Sequence, residues 1–192
     1  MIETPDAIRQ RLSERLFGRP IMQNQFRSTY VEAMLEPYLG STGWRYVGAD
    51  WNGWDFERDG MRLEVKQSAV VQNWSFRRGK LTKPVFSIAP TSGYYINDGA
   101  DWVAEPGRAA DLFVFAWHGV EPEKPLAAGD PYPVDHRDPS QWAFYVALEA
   151  KLPSTKTISL EKIGRLGEQR PVGIVSLPST VEIVLSSPLI ER

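Results

Sequence analysis

An Asp-Gly dipeptide at positions 59–60 constrains this 192-residue chain more than any other feature. It sits inside Trp54–Gln67, which reads WDFERDGMRLEVKQ. Both central residues of a two-residue hairpin turn need φ > 0, a conformation that Asp and Gly tolerate. A two-residue loop sets the register: Arg58 faces Met61, Glu57 faces Arg62, Phe56 faces Leu63 and Asp55 faces Glu64. Because side chains alternate along a strand, one face should carry Asp55, Glu57, Arg62, Glu64 and Lys66. The other should carry Trp54, Phe56, Leu63 and Val65 as core.

The polar face is the informative one. Glu57 opposite Arg62 is an opposite-charge pair and supports the register. Asp55 opposite Glu64 is a like-charge pair, with Cβ atoms roughly 5 Å apart in such a pairing. Two carboxylates so close repel, and one takes up a proton unless something positive lies between them. A hard divalent cation satisfies that need, since carboxylate oxygens are its preferred ligands. Lys66, two residues past Glu64, projects its ammonium from the same face.

The flanking chain reads as alternating helices and strands. Thr4-Pro5 is a cap and first-turn pair opening a helix over residues 5–17, with Ile8, Leu12 and Leu16 at spacing four. Gly18-Arg19-Pro20 ends it. A second helix runs from about Asn24 to Gly40, with Val31, Leu35, Tyr38 and Leu39 on one stripe. Phe26, Tyr30, Ala33 and Met34 on its other side predict a largely buried helix. Pro37 should kink it or end its regular part. Glu32 borders the Leu35–Leu39 stripe, where a carboxylate needs a partner; its position alone also suits an outward-facing glutamate.

Trp44–Ala49 reads as a strand, followed by hairpin strands over 53–58 and 61–69. Residues 70–110 read as a long irregular segment. There Trp74, Arg77, Arg78, Lys80 and Lys83 interleave aromatic and basic side chains, as in segments that contact a nucleic-acid backbone. A solvated loop with two anchoring aromatics is the other reading. Asp111–Trp117 is a buried strand, with Arg108 just before it, 118–140 a Pro-, Gly- and Asp-rich loop and Trp142–Leu148 another strand. His118 and His136, at the two ends of that loop, read as solvated or capping residues. Ser159–Ile163 begins a short helix. Val172–Leu177 and Val181–Leu185 suit either strand or helix.

Composition narrows the function classes. Hydrophobic residues are 42% and charged residues 24% of the chain, an ordinary balance for a soluble protein, and the length suits one domain over 1–192. There is no cysteine, which excludes thiolate sites and thiol nucleophiles and suits a reducing, cytoplasmic setting. The first residues are charged and carry no apolar signal core. No apolar run approaches the roughly 20 residues of a membrane helix. A net charge of −2 argues against a DNA-coating protein, although an acidic metal site contributes to it. Seven tryptophans read first as core and strand filling. Phosphate-cradling loops and the G-x-S-x-G and H-E-x-x-H motifs are absent.

Asp55, an eight-residue gap and Glu64-Val65-Lys66 resemble the PD-(D/E)XK motif of the restriction-endonuclease-like nucleases. The resemblance takes in Glu32 on the preceding helix and the following run EVKQS, and covers residues about 25 to 117 in order. Trp54 stands where the family's leading Pro would be. The resemblance implies an α/β fold with a mixed central β-sheet flanked by helices, a restriction-endonuclease-like core. It also implies Mg²⁺- or Mn²⁺-dependent hydrolysis of phosphodiester bonds in DNA. Asp55, Glu64 and the Val65 carbonyl would ligate the metal, Glu32 would complete or extend that site, and Lys66 would orient water or offset transition-state charge. Gln67, on the opposite strand face, is a weaker candidate. A homodimer would suit symmetric cutting of two strands. Two rivals stand beside this reading: a non-catalytic DNA-binding or assembly module on the same fold, and a Trp-rich small-ligand domain whose hairpin acids are surface charges.

Overall fold

The computed structural model describes residues 3–48, 52–75, 80–97, 99–122, 134–166 and 170–187, and in it Asp59 and Gly60 take φ values of 50° and 81°. The expected turn therefore forms, and the hairpin register follows it. Strand β2 (Phe56–Arg58) pairs with β3 (Met61–Ala69) through Phe56↔Leu63, Glu57↔Arg62 and Arg58↔Met61. Before them come helix α1 (Pro5–Phe17), capped by the Thr4 hydroxyl, which accepts from Ala7 N–H, helix α2 (Asn24–Gly40) and strand β1 (Arg45–Tyr46).

Between β3 and the next long strand lie three short ones: β4 (Val85–Ser87), β5 (Tyr94–Ile96) and β6 (Asp101–Val103). Then come β7 (Leu112–His118) and β8 (Trp142–Leu148). The chain closes with β9 (Thr157–Ser159), α3 (Leu160–Leu166) and α4 (Leu177–Ser186). Five strands form a mixed sheet in the order β1-β2-β3-β7-β8. The pair β3–β7 is parallel, from Leu63↔Leu112 to Ala69↔His118, and the other pairs are antiparallel. The fold is thus α/β with a mixed central sheet and helices. Among the described residues no helix is long and apolar enough to cross a membrane.

Strand β7 is apolar on both faces, and each face of the sheet has its own cover. On one, Leu63, Val65, Leu112, Val114 and Phe144 pack against Val31, Leu35 and Leu39 of α2 and Leu177 and Val181 of α4. On the other, Phe113 and Phe115 pack against Phe86, Ile88, Ile158 and Ile163 from β4, β9, α3 and the residues beside them. Each fully buried Phe or Leu side chain contributes about 1.5–3 kcal/mol.

Several expectations are corrected. Residues 70–110 are not irregular throughout. Asn97 and Gly99 both take positive φ and turn the β5–β6 hairpin, while β4 pairs with β9. Helix α2 is buried on one side only, through Arg27, Val31, Leu35 and Leu39, and it continues through Pro37 to Gly40. The Ile8–Leu12 stripe of α1 stays about half exposed. The first strand shrinks to Arg45–Tyr46, and Ala49 lies outside the described residues.

The two histidines are neither solvated nor caps: both are buried, their rings 4.9 Å apart and packed on Trp142. The segment at 181–185 is helical, with Pro178 in the first turn of α4. Trp54 leaves the face of Phe56 and Leu63 and packs in the opposite cluster, where the Arg62 guanidinium lies 4.1 Å from its ring centroid. Glu57 therefore pairs with Arg45 instead of Arg62, and Arg62 donates to the Tyr94 hydroxyl and the Ala109 carbonyl.

Candidate active site

The break in alternation at Trp54 begins with Asp55, whose side chain replaces a ladder bond. Its Oδ2 accepts from the Val65 N–H at 2.7 Å, while its backbone N–H donates to Leu63 at 3.0 Å. The Asp55 carbonyl accepts from both Val47 and Gly48 N–H groups, at 2.8 and 3.1 Å. The residue is thus held from both neighbouring strands, with one carboxylate oxygen uncommitted to them. Gly48 makes room for that oxygen: a Cβ there would stand 2.8 Å from Asp55 Oδ1.

Glu64 and Lys66 follow on the β3 face that carries Phe113 and Phe115 of β7, and the Lys66 ammonium pairs with the Glu64 carboxylate. Glu32 reaches the same neighbourhood from α2, accepting from the Tyr46 hydroxyl at 3.0 Å. The electrostatics tie these groups together. Burial, then the charges of Glu64 and Glu32, hold the Asp55 carboxyl well above the usual carboxylate range, against the Val65 N–H and Lys66. Burial also pushes Glu32 up; the Tyr46 hydrogen bond opposes it and Glu64 reinforces it. Burial and the neighbouring acids push the Tyr46 phenol up as well.

The structure therefore brings Glu32, Asp55, Glu64 and Lys66 together, with three carboxyls against one ammonium. Tyr46 joins them unforeseen; its place beside the hairpin acids follows from the pairing Tyr46↔Phe56. Gln67 stands apart. It accepts from Arg27 Nε at 2.6 Å and donates to the Asn24 carbonyl and side-chain oxygens. Arg27 is fully buried among neutral acceptors, bonding Gln72 and Asn24 as well, and burial lowers its pKa to about 10. This network fixes α2 to the end of β3.

Lys66 and Glu64 line a cleft of about 230 Å³ that also includes Gly53, Tyr95, Trp102 and Arg108. Neither Trp74, Lys80 nor Lys83 lines it; all three are exposed. Arg77 and Arg78 lie outside the described residues. Arg108 is tied down by Glu149 and by the Ile88 and Pro153 carbonyls.

The donor set suits a hard divalent cation. Carboxylate oxygens are the ligands such an ion takes, and the acids outnumber the one ammonium. The Val65 carbonyl leaves an extended strand on the same side as its N–H, the side of Asp55. Among the described residues no three acidic or imidazole groups form a ready ligand cage. One oxygen each of Asp55, Glu64 and Glu32 is engaged by Val65 N–H, Lys66 and Tyr46 respectively. Comparison with protein-family models, with curated proteins and with solved structures found no match to this chain.

Proposed function

We propose that the protein is a Mg²⁺- or Mn²⁺-dependent nuclease that hydrolyses phosphodiester bonds in DNA, on a restriction-endonuclease-like core. The observation that carries this reading is the convergence of Asp55, Glu64, Lys66 and Glu32 from a hairpin and a preceding helix. The motif strand β3 lying parallel to β7 within a mixed sheet supports the fold assignment.

Asp55 and Glu64 would hold the cation, with Glu32 and the Val65 carbonyl extending the ligand set. A divalent cation so held supplies Lewis acidity toward a phosphate oxygen and acidifies bound water. Lys66 then has two tasks open to it. Paired with Glu64, its ammonium offsets part of the negative charge of the three acids. Released to the cleft, it donates to the attacking water or to the phosphate oxygens as charge builds on them. Tyr46, donating to Glu32, aims the helix carboxylate at the hairpin acids.

The rival is a non-catalytic DNA-binding or assembly module on the same fold, and the closed Glu64–Lys66 pair is what favours it. The deciding experiment incubates the full chain with plasmid, single-stranded and branched DNA in Mg²⁺, Mn²⁺ and EDTA. Metal-dependent nicking or shortening abolished by Glu64→Ala supports the nuclease. No product in either metal, with metal titration also silent, overturns it.

A further inference from the structure

The cleft beside Glu64 and Lys66 has an aromatic wall that the proposed hydrolysis does not use. Tyr95 and Trp102 are register partners in the β5–β6 hairpin and so share one of its faces. Their rings meet edge to face with centroids 4.9 Å apart. Both line the cleft while 38% and 49% exposed. Gly93 makes room for the indole, since a Cβ there would come within 2.6 Å of the Trp102 ring. The hairpin is stitched to the lead-in of Asp55: Gly53 N–H donates to the Tyr95 carbonyl at 3.3 Å, and Asn52 bridges Tyr95. The wall is thereby held two residues from the candidate metal ligand.

We propose that this wall binds single-stranded DNA by stacking on unpaired bases, delivering the adjoining phosphate to the acids. The assignment rests on the nuclease reading above for what happens to that phosphate. Aromatic faces accept any base, and such stacking is the usual mode of single-strand binding. A duplex covers its base faces and shows only base edges in its grooves, so it offers nothing for Tyr95 and Trp102 to stack on.

The test is fluorescence anisotropy of labelled oligo(dT) and of a duplex of equal length, with the full chain in EDTA so that nothing is cut. Wild type should bind oligo(dT) about tenfold or more tighter than duplex. Trp102→Ala should lose about tenfold of that affinity, Tyr95→Ala a similar share, and Trp102→Phe should keep most of it. Circular dichroism confirms that each variant is folded. Equal affinity for duplex and single strand, or oligo(dT) binding unmoved by both alanine variants, overturns the proposal. Cleavage is scored separately. Metal-dependent cutting with no single-strand preference in binding refutes the wall and keeps the nuclease. Stacking-dependent binding with no cutting in Mg²⁺ or Mn²⁺ refutes the nuclease and keeps the wall.

Discussion

His136 offers the prediction whose size follows most directly from the structure. The imidazole is fully buried. Its Nδ1 accepts from Met22 N–H at 3.1 Å, which leaves Nε2 to donate to the Val71 carbonyl. Both bonds belong to the neutral ring, since a protonated Nδ1 has no lone pair for Met22. Burial first, then the Arg27 and His118 charges, lowers its pKa from 6.5 to about 3; the Val71 bond and Asp135 oppose this. The sign follows from linkage: between those values the unfolded chain takes up a proton that the native state refuses. The contribution is intact above pH 6.5 and is lost progressively as pH falls toward 3. At pH 5 the unfolded ring lies about 1.5 units below its own pKa, which costs about 2 kcal/mol at 1.36 kcal/mol per unit.

Asp55 and Glu32, with raised values, tilt stability the opposite way. The measurement must therefore be a difference between proteins. His136→Gln keeps a donor toward Val71 and cannot titrate. Urea unfolding of wild type and variant at pH 7.5 and pH 5 gives the stability gap at each pH. Wild type should lose about 2 kcal/mol of its advantage at the lower pH. A gap that does not change between the two conditions refutes the assignment of a neutral, buried His136.

Three further outcomes concern the candidate site. Asp55→Asn retains an acceptor for Val65 N–H and removes a crowded charge, so in EDTA it should be neutral or stabilising by about 1 kcal/mol; in Mg²⁺ the advantage should shrink or reverse, read as melting shifts in the two buffers. Glu64→Ala should lose metal binding and cleavage together, whereas Lys66→Ala should keep or tighten metal binding and lose most cleavage; metal titration beside a cleavage time course separates them, and wild-type cleavage by Lys66→Ala would show the motif match to be coincidence. Gly48→Ala places a methyl 2.8 Å from Asp55 Oδ1 and 3.0 Å from its Cα; it should destabilise by about 1–3 kcal/mol and weaken Mg²⁺ binding, measured by urea unfolding and calorimetry.

Local chemistry alone decided the hairpin. Asp59 and Gly60 adopt positive φ because their side chains allow it, and the two-residue loop leaves one register. The same holds for the Thr4–Pro5 start of α1, for β8, for β7 to within one residue and for Glu64 and Lys66 sharing a face. Each depends on neighbours in the chain or on an apolar run with one way to be buried.

What the sequence could not decide depends on partners far along the chain. Trp54 changes face because Asp55 gives its side chain to Val65 N–H and Arg62 and Tyr94 receive the indole. Arg27 owes its burial to Gln67 and Gln72, which supply neutral acceptors from the end of β3 and just beyond it. Tyr46 gains its place beside Glu32 only through the pairing of β1 with β2. The β5–β6 wall was not legible, because its strands are three residues each and lie in a segment that reads as irregular. That it stands beside Asp55 was decided by the Gly53–Tyr95 backbone contact, a long-range hydrogen bond that local pattern does not encode.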